Sequence, residues 1–350
     1  MKSTIIRGGF ETLYFSGLYH VMRPFVGGLG VILTLHHVRP QRPDRFQPSR
    51  LLEVSPEFFE NLLRLLRGTR RDLISLDEMY RRLLAGEPPR PFACVTFDDG
   101  YRDVLRYAYP LLKRYDVPFA LYIPTSFPDR LGELWWVALE AVIARSARVS
   151  LTMEGRERVF DCATLRGKEQ AYDDVYRWLR GLSSETELRR IVRDLAARHG
   201  VDMAALCRDD CMDWSELAQI AADPLCTIGA HTVNHVMLKK IESDRAVLTE
   251  MDMSRAVLEA ALGVRPQHLA YPVGDPTSAG PREFRIAAEL GFKTGVTTRP
   301  GVVFGEHRDH LTALPRISVN GDFQSQRYLK VLLSGAATGL WNGFRRVNAA

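Results

Sequence analysis

Short apolar runs rich in β-branched residues recur along the chain, and amphipathic stretches separate them. Such alternation is typical of a parallel sheet with crossover helices. About seven runs are present, which is near the strand count of a closed α/β barrel. The predicted strands cover residues 31–36, 93–97, 119–123, 226–230, 268–271, 294–297 and 314–319.

Two of the intervening helices carry recognisable ends. The stretch 56–67 follows Ser55, a residue type that caps helix N-termini through its side-chain oxygen. The stretch 245–262 ends at Gly263, a residue type that closes helices in the left-handed conformation. We therefore predict one helix that begins after Ser55 and another that ends at Gly263.

The composition is that of an ordinary globular protein. Of 350 residues, 46% are hydrophobic and 25% are charged, which suits one large α/β domain with insertions. The formal net charge is +5 and the pI is near 9.0. This mild excess is compatible with anionic lipid surfaces or substrates, but it is far below the charge of nucleic-acid-binding domains. We expect no nucleic-acid partner.

One connection is too long for an ordinary crossover. Roughly a hundred residues separate the third predicted strand from the fourth, well beyond the usual loop length. We interpret about 130–222 as a helical insertion, with helices at 133–145 and 185–199. Trp135 and Trp136 could stack on sugar rings, although a tryptophan pair is more often part of a core.

Two adjacent carboxylates, Asp98 and Asp99, follow the second predicted strand directly. Like charges at the end of an apolar strand are unfavourable for stability, and neighbouring side chains in a strand point to opposite faces. One carboxylate can therefore face a metal while the other faces a water or a substrate proton. Taken alone, such a pair is more often a turn or a helix cap.

Two histidines, His231 and His235, follow the fourth predicted strand. Four residues apart on one helical turn, they can face one cation. Together with Asp99 they would supply three protein ligands and leave a position open for water, as catalytic metal sites do. A lone pair of this spacing is usually solvated or buried in a core, so the combination with the carboxylates carries the prediction.

The cysteines indicate a reducing compartment. There are five of them, an odd number, and Cys94 and Cys226 lie inside predicted buried strands. We therefore expect reduced thiols and a cytoplasmic protein. Cys207 and Cys211 lack a second ligand pair at zinc-finger spacing, so they predict no metal site.

Both ends of the chain combine basic with apolar residues. Residues 1–30 form an amphipathic extension that lacks the pattern of a signal peptide, and residues 321–350 read as a C-terminal amphipathic helix. No apolar stretch is long enough for a transmembrane helix. Such ends could lie on a membrane surface, or they could dock on a barrel, which is the more common case.

Five motifs in the expected order resemble the polysaccharide deacetylases of the NodB-homology type, carbohydrate esterase family 4. The first motif is TFDDG at 96–100 and the second is HTVNH at 231–235. The third is LAYPVG at 269–274. TLHHV at 34–38 is similar to the family's Y-H-R-V segment, and LPRI at 314–317 is similar to its last strand.

The resemblance implies a distorted (β/α)7 barrel with a long helical insertion and helical terminal extensions, and the barrel would span 31–320. It also implies a divalent metal, commonly Zn²⁺, and hydrolysis of an N-acyl group on an amino sugar. Asp98 would be the general base, and Asp99, His231 and His235 the metal ligands. A backbone N–H at Val273 would stabilise the oxyanion. Tyr271 of the same motif would line the substrate site.

The chain departs from the family pattern in three places. The arginine that many members place beside the base aligns with Ala270, and Arg316 is the predicted substitute because its fork can bind a carboxylate. The late histidine that protonates the leaving amine is missing, so His37 is the first candidate, with His307 or His310 behind it. An acidic-tryptophan motif is only loosely matched by Asp213 and Trp214. Asp213 could orient a catalytic group or could equally cap the helix that begins at Trp214, and Trp214 would shape the pocket.

These features predict an enzyme that hydrolyses the N-acetyl amide of an amino sugar in an oligo- or polysaccharide, in the cytoplasm or at the inner membrane. A deformylase or amidase acting on a lipid-linked or other small amide is an alternative. A saccharide-binding protein without turnover is another, because the usual arginine and late histidine are absent. Asp98 favours catalysis, because a binder needs no base beside the metal.

Overall fold

The structure is a computed structural model that describes residues 2–86 and 90–349. The strands are β1 (Gly30–Leu35), β2 (His37–Val38), β3 (Glu53–Val54), β4 (Asp72–Leu73), β5 (Phe92–Asp98), β6 (Phe119–Ile123), β7 (Arg148–Met153), β8 (Arg156–Asp161), β9 (Cys226–Ala230), β10 (His268–Ala270), β11 (Thr294–Pro300) and β12 (Leu314–Ser318). The α-helices are α1 (Lys2–Phe15), α2 (Leu18–Val26), α3 (Pro56–Gly68), α4 (Leu76–Ala85), α5 (Tyr109–Arg114), α6 (Trp135–Arg145), α7 (Leu165–Gly181), α8 (Glu185–Arg198), α9 (Met203–Asp210), α10 (Trp214–Ala221), α11 (Asp244–Leu262), α12 (Pro281–Glu289), α13 (Gln326–Leu333) and α14 (Ala336–Trp341).

Seven parallel strands close into a barrel. The ring runs β1, β12, β11, β10, β9, β6, β5 and back to β1. Each of the seven predicted apolar runs overlaps one of these strands, so the predicted barrel is confirmed. It is distorted where the register between β11 and β12 shifts between Val296 and Pro300.

The barrel is filled by its own small apolar cluster. Ile32, Tyr122 and Val296 from the strands pack with Leu76 and Met79 of α4. The side chain of Asp77 in α4 lies 3.5 Å from His268 and 2.7 Å from Lys293, beside the first residues of β10 and β11. Helix α4 therefore closes the N-terminal end of the barrel, and the opposite end, where the strands finish, is left for a site.

The helix ends follow the sequence signals. The Ser55 side chain accepts a hydrogen bond from the Phe58 N–H and caps α3. Gly263 has a φ of 72° and closes α11. Both predicted helix ends are confirmed, because the side-chain cap and the left-handed glycine satisfy backbone groups that the helix itself leaves unpaired.

The segment between β6 and β9 contains α6 to α10 and also a hairpin of β7 and β8. The sequence predicts helices here, and the hairpin is an addition to that prediction. Trp135 and Trp136 are buried in the large outer cluster, so the pair belongs to the core.

The two terminal segments pack together beside the barrel. Helix α1 contacts α13, and α2 contacts α14. A single helix is predicted for 321–350, but the structure has two short helices there. Gly335 between them has a φ of 80°, and a Cβ at this position would clash with the Val26 carbonyl, so the chain turns at this glycine. Met1 and Ala350, the outermost residues of the predicted extensions, lie outside the described residues. Among residues 2–86 and 90–349, we find no helix with the length and apolarity needed to cross a membrane.

Candidate active site

The TFDDG motif forms the end of β5 and the turn after it. Asp98 is the last residue of the strand, and Asp99 and Gly100 follow with φ angles of 70° and 65°. A Cβ on Gly100 would lie 2.8 Å from the Ile123 side chain, so glycine is needed for both conformation and space. This sharp turn sends the two carboxylates toward different partners, as the sequence predicts.

Asp99, His231 and His235 converge at the C-terminal end of the barrel. The Asp99 Oδ1 atom lies 3.4 Å from His231 Nε2 and 3.2 Å from His235 Nε2. All three residues are buried, and their ligand atoms lie within 4.8 Å of one another. Within the described part of the chain, Asp99 Oδ1 has no hydrogen-bond partner. A buried carboxylate oxygen without a partner is costly, and a cation among these three atoms would remove that cost.

The other ring nitrogen of His231 fixes how the imidazole is used. His231 Nδ1 lies 2.7 Å from the Ala270 carbonyl oxygen, which can only accept a hydrogen bond. Nδ1 therefore carries the proton, and Nε2 presents a lone pair toward Asp99. A lone pair facing a carboxylate oxygen is repulsive unless a cation lies between them, and this arrangement is typical of metal-bound histidine. The residues present thus fit a divalent metal.

Electrostatics at Asp99 points the same way. Burial by itself would raise the pKa of Asp99, but its interactions with the imidazoles of His235 and His231 hold that pKa well below its usual value. A bound cation would have the same effect on the carboxylate. Asp99 is therefore ionised, as a metal ligand would need to be.

The histidine motif is not helical, contrary to the prediction of one helical turn. It is a loop in which Thr232 and His235 adopt φ angles of 64° and 51°. These left-handed residues turn both imidazoles toward Asp99. Non-glycine residues rarely adopt such angles, and they persist where surrounding contacts hold them.

Two charged side chains hold this loop from opposite sides. Glu250 of α11 accepts hydrogen bonds of 3.0 Å from the backbone N–H groups of Val233 and Asn234. Arg189 of α8 donates to the Asn234 and His235 carbonyls at 2.8 and 3.2 Å. Arg189 therefore ties the helical segment between β6 and β9 to the loop that carries two of the three ligands. Neither residue stands out in the sequence motifs.

Arg316 forms a bidentate ion pair with Asp98, as the sequence predicts. Arg316 Nη1 and Nη2 donate to the two oxygens of Asp98 at 2.7 and 2.6 Å, and both side chains are buried. Arg316 Nε donates to the Thr297 carbonyl at 2.8 Å, which fixes the guanidinium plane. Burial would raise the pKa of Asp98, but the charge and hydrogen bonds of Arg316 outweigh it and lower that pKa.

His37, the first candidate for the acid, is engaged by a different carboxylate, that of Asp103. Its Nδ1 lies 2.7 Å from Asp103 Oδ2, and its ring stacks on Tyr101 at 3.6 Å. His36, rather than His37, interacts electrostatically with both Asp99 and Asp98. Desolvation lowers the pKa of His36, and the two carboxylates partly counteract it. The sequence motif contains both residues, but it does not indicate which of the two faces the site.

The remaining candidates are dispersed. His307 is buried in the turn before β12, where its Nδ1 accepts the Phe304 N–H at 3.0 Å, and His310 is exposed. Both precede β12 and therefore lie toward the N-terminal end of the barrel. No contact between either of them and the carboxylates or the ligand histidines is found among the described residues.

The third motif runs along the site. Tyr271 is buried and donates to the Thr312 carbonyl at 2.7 Å, so its hydroxyl is used within the fold. Val273 has a φ of 63°, and its carbonyl accepts a hydrogen bond from Thr298 Oγ1. Its backbone N–H has no partner in the described ranges. Val273 therefore keeps a free donor at the position where the resemblance puts the oxyanion donor.

Trp214 and Asp213 form the start of α10. The Asp213 side chain accepts the Glu216 N–H in a capping box, so of its two predicted roles it performs the cap. Trp214 Nε1 donates to Asp129 Oδ1 at 2.8 Å. None of the contacts described for Trp214 reaches the metal ligands.

A cavity of about 610 Å³ opens beside the site. Its lining includes His37, Trp136, Glu140 and Asp210, and the Trp136 ring lies 5.0 Å from the His235 ring. Burial raises the pKa of Asp210, whose carboxylate lies near His37. A cavity of this size with aromatic and polar walls can hold one or two sugar rings.

Comparison with known proteins agrees with this geometry. The model of the polysaccharide deacetylase family matches residues 85–148 and 170–295, more than half of the chain. The chain therefore belongs to the polysaccharide deacetylase family. No curated protein matches significantly.

Solved structures share the fold. The Streptococcus pyogenes deacetylase PplD in complex with acetate aligns with a TM-score of 0.57 at 20% identity, covering 86% of this chain and 97% of that one. IcaB from Ammonifex degensii aligns with a TM-score of 0.55 at 19% identity, covering 88% and 98%. A de-N-acetylase from Aggregatibacter actinomycetemcomitans aligns with a TM-score of 0.56 at 12% identity, covering 87% and 99%. At these identities the likeness concerns the fold.

Proposed function

We propose that this protein hydrolyses the N-acetyl amide of an amino sugar in an oligo- or polysaccharide, and that the reaction depends on a divalent metal. The observation that carries the proposal is the convergence of Asp99, His231 and His235 beside the carboxylate of Asp98. Membership of the polysaccharide deacetylase family supports the substrate class.

Asp99, His231 and His235 would hold the metal, and Zn²⁺ suits a set of two imidazoles and one carboxylate. When bound, such an ion lowers the pKa of a water ligand and polarises an acyl oxygen. The three residues leave room in the coordination sphere, as hydrolytic sites require.

Asp98 acts as the general base. Because Arg316 lowers its pKa, Asp98 is ionised at neutral pH and can accept a proton from the attacking water. Water adds to the acyl carbon, the C–N bond breaks, and the amine leaves with a proton while acetate is released. The backbone N–H of Val273 is a donor for the acyl oxygen as negative charge develops on it.

We assign the proton donor for the amine to His36 in place of His37. His36 is the histidine of the two whose charge acts on Asp98 and Asp99, whereas the Nδ1 of His37 is engaged by Asp103. A general acid must reach the leaving group, and the histidine that interacts with Asp98 and Asp99 meets that need better than the one bound to Asp103, because those two carboxylates favour its protonated form. His37 instead lines the adjoining cavity, where sugar hydroxyls could contact it.

The two alternative functions remain distinguishable by product. A deformylase would release formate from a formamido sugar, and a saccharide-binding protein would release nothing. Asp98 paired with Arg316 favours turnover, because a binder gains nothing from a buried base beside its metal. For location we propose the cytoplasm, which is supported by the odd cysteine count and by the burial of Cys94, Cys162, Cys207 and Cys211.

The test is release of acetate or formate from a panel of N-acetylated and N-formylated amino sugars, from monosaccharide to oligosaccharide. Protein stripped of metal with a chelator should be inactive and should recover with about one equivalent of Zn²⁺. Acetate release that increases with oligosaccharide length is the expected result. Formate as the preferred product would select the deformylase, and no release of either by metal-loaded protein would contradict the enzymatic proposal.

A further inference from the structure

An exposed apolar surface lies at the N-terminal end of the barrel, and it is formed by both terminal segments. Helix α2 exposes Val21 by 66% and Phe25 by 73%. In and after α14, Trp341 and Phe344 are exposed by 69% and 59%. Single exposed apolar residues are common, but several large ones on adjoining elements mark an interaction surface. We call these four side chains the terminal apolar surface.

Packing brings the two elements of this surface together. Helix α2 packs on α14, where a Cβ on Gly339 would lie 3.0 Å from the Val26 side chain. Phe25 and Phe344 line one hollow of about 220 Å³. The exposed residues of α2 recur at Leu18, Val21 and Phe25, three and four residues apart, and therefore occupy one face of the helix. The buried face, with Tyr19 and Val26, packs against the protein.

The charge of the chain is concentrated in the same two segments. Residues 1–30 contain three basic residues and one acidic residue, and residues 321–350 contain four basic and one acidic. These segments therefore carry +5 in total, which equals the formal net charge of the whole protein, and residues 31–320 are neutral. Within the described part of the chain, neither Arg23 of α2 nor Arg345 beside Phe344 forms an ion pair. Both guanidinium groups can therefore meet an external anion.

We propose that the terminal apolar surface and its arginines dock on the surface of an anionic lipid bilayer. Aromatic and aliphatic side chains would enter the region between headgroups and acyl chains, while Arg23 and Arg345 meet anionic headgroups. Charge complementarity selects this occupant over a second copy of the chain, because two copies would bring segments of net charge +5 face to face.

This orientation places the active site away from the lipid. Val302 lines the hollow, and its neighbour Val303 forms an isolated β-bridge with Gly30, the first residue of β1. Asp98 lies at the far end of β5, whose register with β1 runs from Phe92 opposite Gly30 to Phe97 opposite Leu35. The two ends are about 20 Å apart at the usual rise per residue. A docked protein would therefore present its site to a saccharide that extends from the membrane or passes by in solution.

Point substitutions test the proposal better than truncation, because removing residues from Arg327 onward would also uncover the buried Leu329, Val331 and Leu333. The variant Phe25→Ser/Trp341→Ser/Phe344→Ser removes three exposed rings. Its matched control, Leu131→Ser/Val159→Ser/Val264→Ser, removes exposed apolar side chains elsewhere on the molecule. A second variant, Arg23→Gln/Arg345→Gln, removes the two unpaired charges.

The probe is co-sedimentation with phosphatidylcholine vesicles that contain or lack phosphatidylglycerol. We expect wild type and control to bind the anionic vesicles in low salt. The triple-ring variant should bind them at least about tenfold more weakly. The arginine variant should lose affinity for anionic vesicles and show less dependence on salt. Thermal melts would establish that all variants are folded.

Wild type that fails to bind anionic vesicles in low salt would overturn the proposal. So would equal binding by the triple-ring variant and its control, or a wild-type dimer in sedimentation velocity that the triple-ring variant converts to monomer. The last result would identify a second copy of the chain as the occupant. None of these outcomes depends on the proposed hydrolysis, because the readout is binding without substrate.

Discussion

Arg316 carries a charge in the interior of the barrel, where an unpaired cation would be costly. Its partner Asp98 is equally buried, and the two side chains share a bidentate pair of hydrogen bonds. At this position the residue does two jobs that can be separated experimentally: it neutralises Asp98 in the fold, and it keeps that carboxylate ionised for proton transfer.

We predict that Arg316→Met destabilises the protein by about 3–5 kcal/mol, because one partner of a buried pair is lost while the other stays charged. The double variant Arg316→Met/Asp98→Asn should recover part of that loss, since both charges are gone. Urea denaturation of the wild type and the variants measures the difference. A single variant as stable as the double variant would show that leaving the buried Asp98 carboxylate unpaired does not destabilise the fold.

His36 and His37 offer a matched pair of neighbours. We predict that His36→Gln lowers kcat about a hundredfold with metal content unchanged, because it removes a proton donor for the leaving amine. His37→Gln should act chiefly on KM for oligosaccharides, since His37 lines the cavity and is held by Asp103. Steady-state kinetics with metal analysis separates the two. A kcat loss confined to His37→Gln would return the acid to that residue.

Among single residues, the sequence predicts the groups whose chemistry is distinctive. The contact of Arg316 with Asp98 follows from the fork geometry of arginine and the need for a cation near the base. The orientation of His36 and His37 does not follow, because the chain bends at His36, between the end of β1 and the start of the short β2. Which imidazole faces the carboxylates is decided by that bend and by Asp103, which is distant in sequence.

At the scale of elements, the loop carrying His231 and His235 depends on residues outside its motif. Arg189 donates to the Asn234 and His235 carbonyls and is neutralised by Glu133 and Glu185. Contacts that orient ligand residues commonly affect metal affinity by about ten- to a hundredfold. The helical segment between β6 and β9 is thereby linked to the candidate metal site through one side chain.

We predict that Arg189→Met weakens Zn²⁺ affinity at least about tenfold, because the left-handed conformation of His235 loses its support. The neighbouring Arg190→Met is the control, since Arg190 is exposed and pairs with Asp194. Chelator competition measures the affinity without any turnover. Equal affinities in the two variants would show that Glu250 alone holds the loop.

The strands were predictable from the sequence because most residues of the barrel strands are buried and many of them are apolar or β-branched. The β7–β8 hairpin was not, since β8 exposes most of its side chains and carries Arg156, Glu157 and Arg158. The turn signal was nevertheless present in Glu154 and Gly155, whose φ angles are 53° and 75°. The helical interpretation of HTVNH was wrong, because a spacing of four residues between two histidines does not reveal that Thr232 and His235 adopt left-handed φ angles.

Across the whole molecule, the candidate site and the terminal apolar surface lie at opposite ends of the barrel. The C-terminal ends of the strands carry Asp98, Asp99 and the two histidines of the candidate site. The two terminal segments carry the net positive charge and the exposed rings. A neutral barrel with basic, apolar terminal segments can work at a lipid surface while its cavity of about 610 Å³ stays open to saccharide. This arrangement favours a polymer substrate over a sugar held close to the headgroups.

The most direct test of the proposed chemistry compares wild type and Asp98→Asn in acetate release from an N-acetylglucosamine oligosaccharide, at equal, measured metal content. The substitution keeps the shape of the side chain and removes the base. We predict steady turnover by the wild type and a loss of about a hundredfold or more in kcat for Asp98→Asn, with Zn²⁺ still bound by Asp99, His231 and His235. Equal turnover by the two proteins, or none by metal-loaded wild type, would contradict the proposed function.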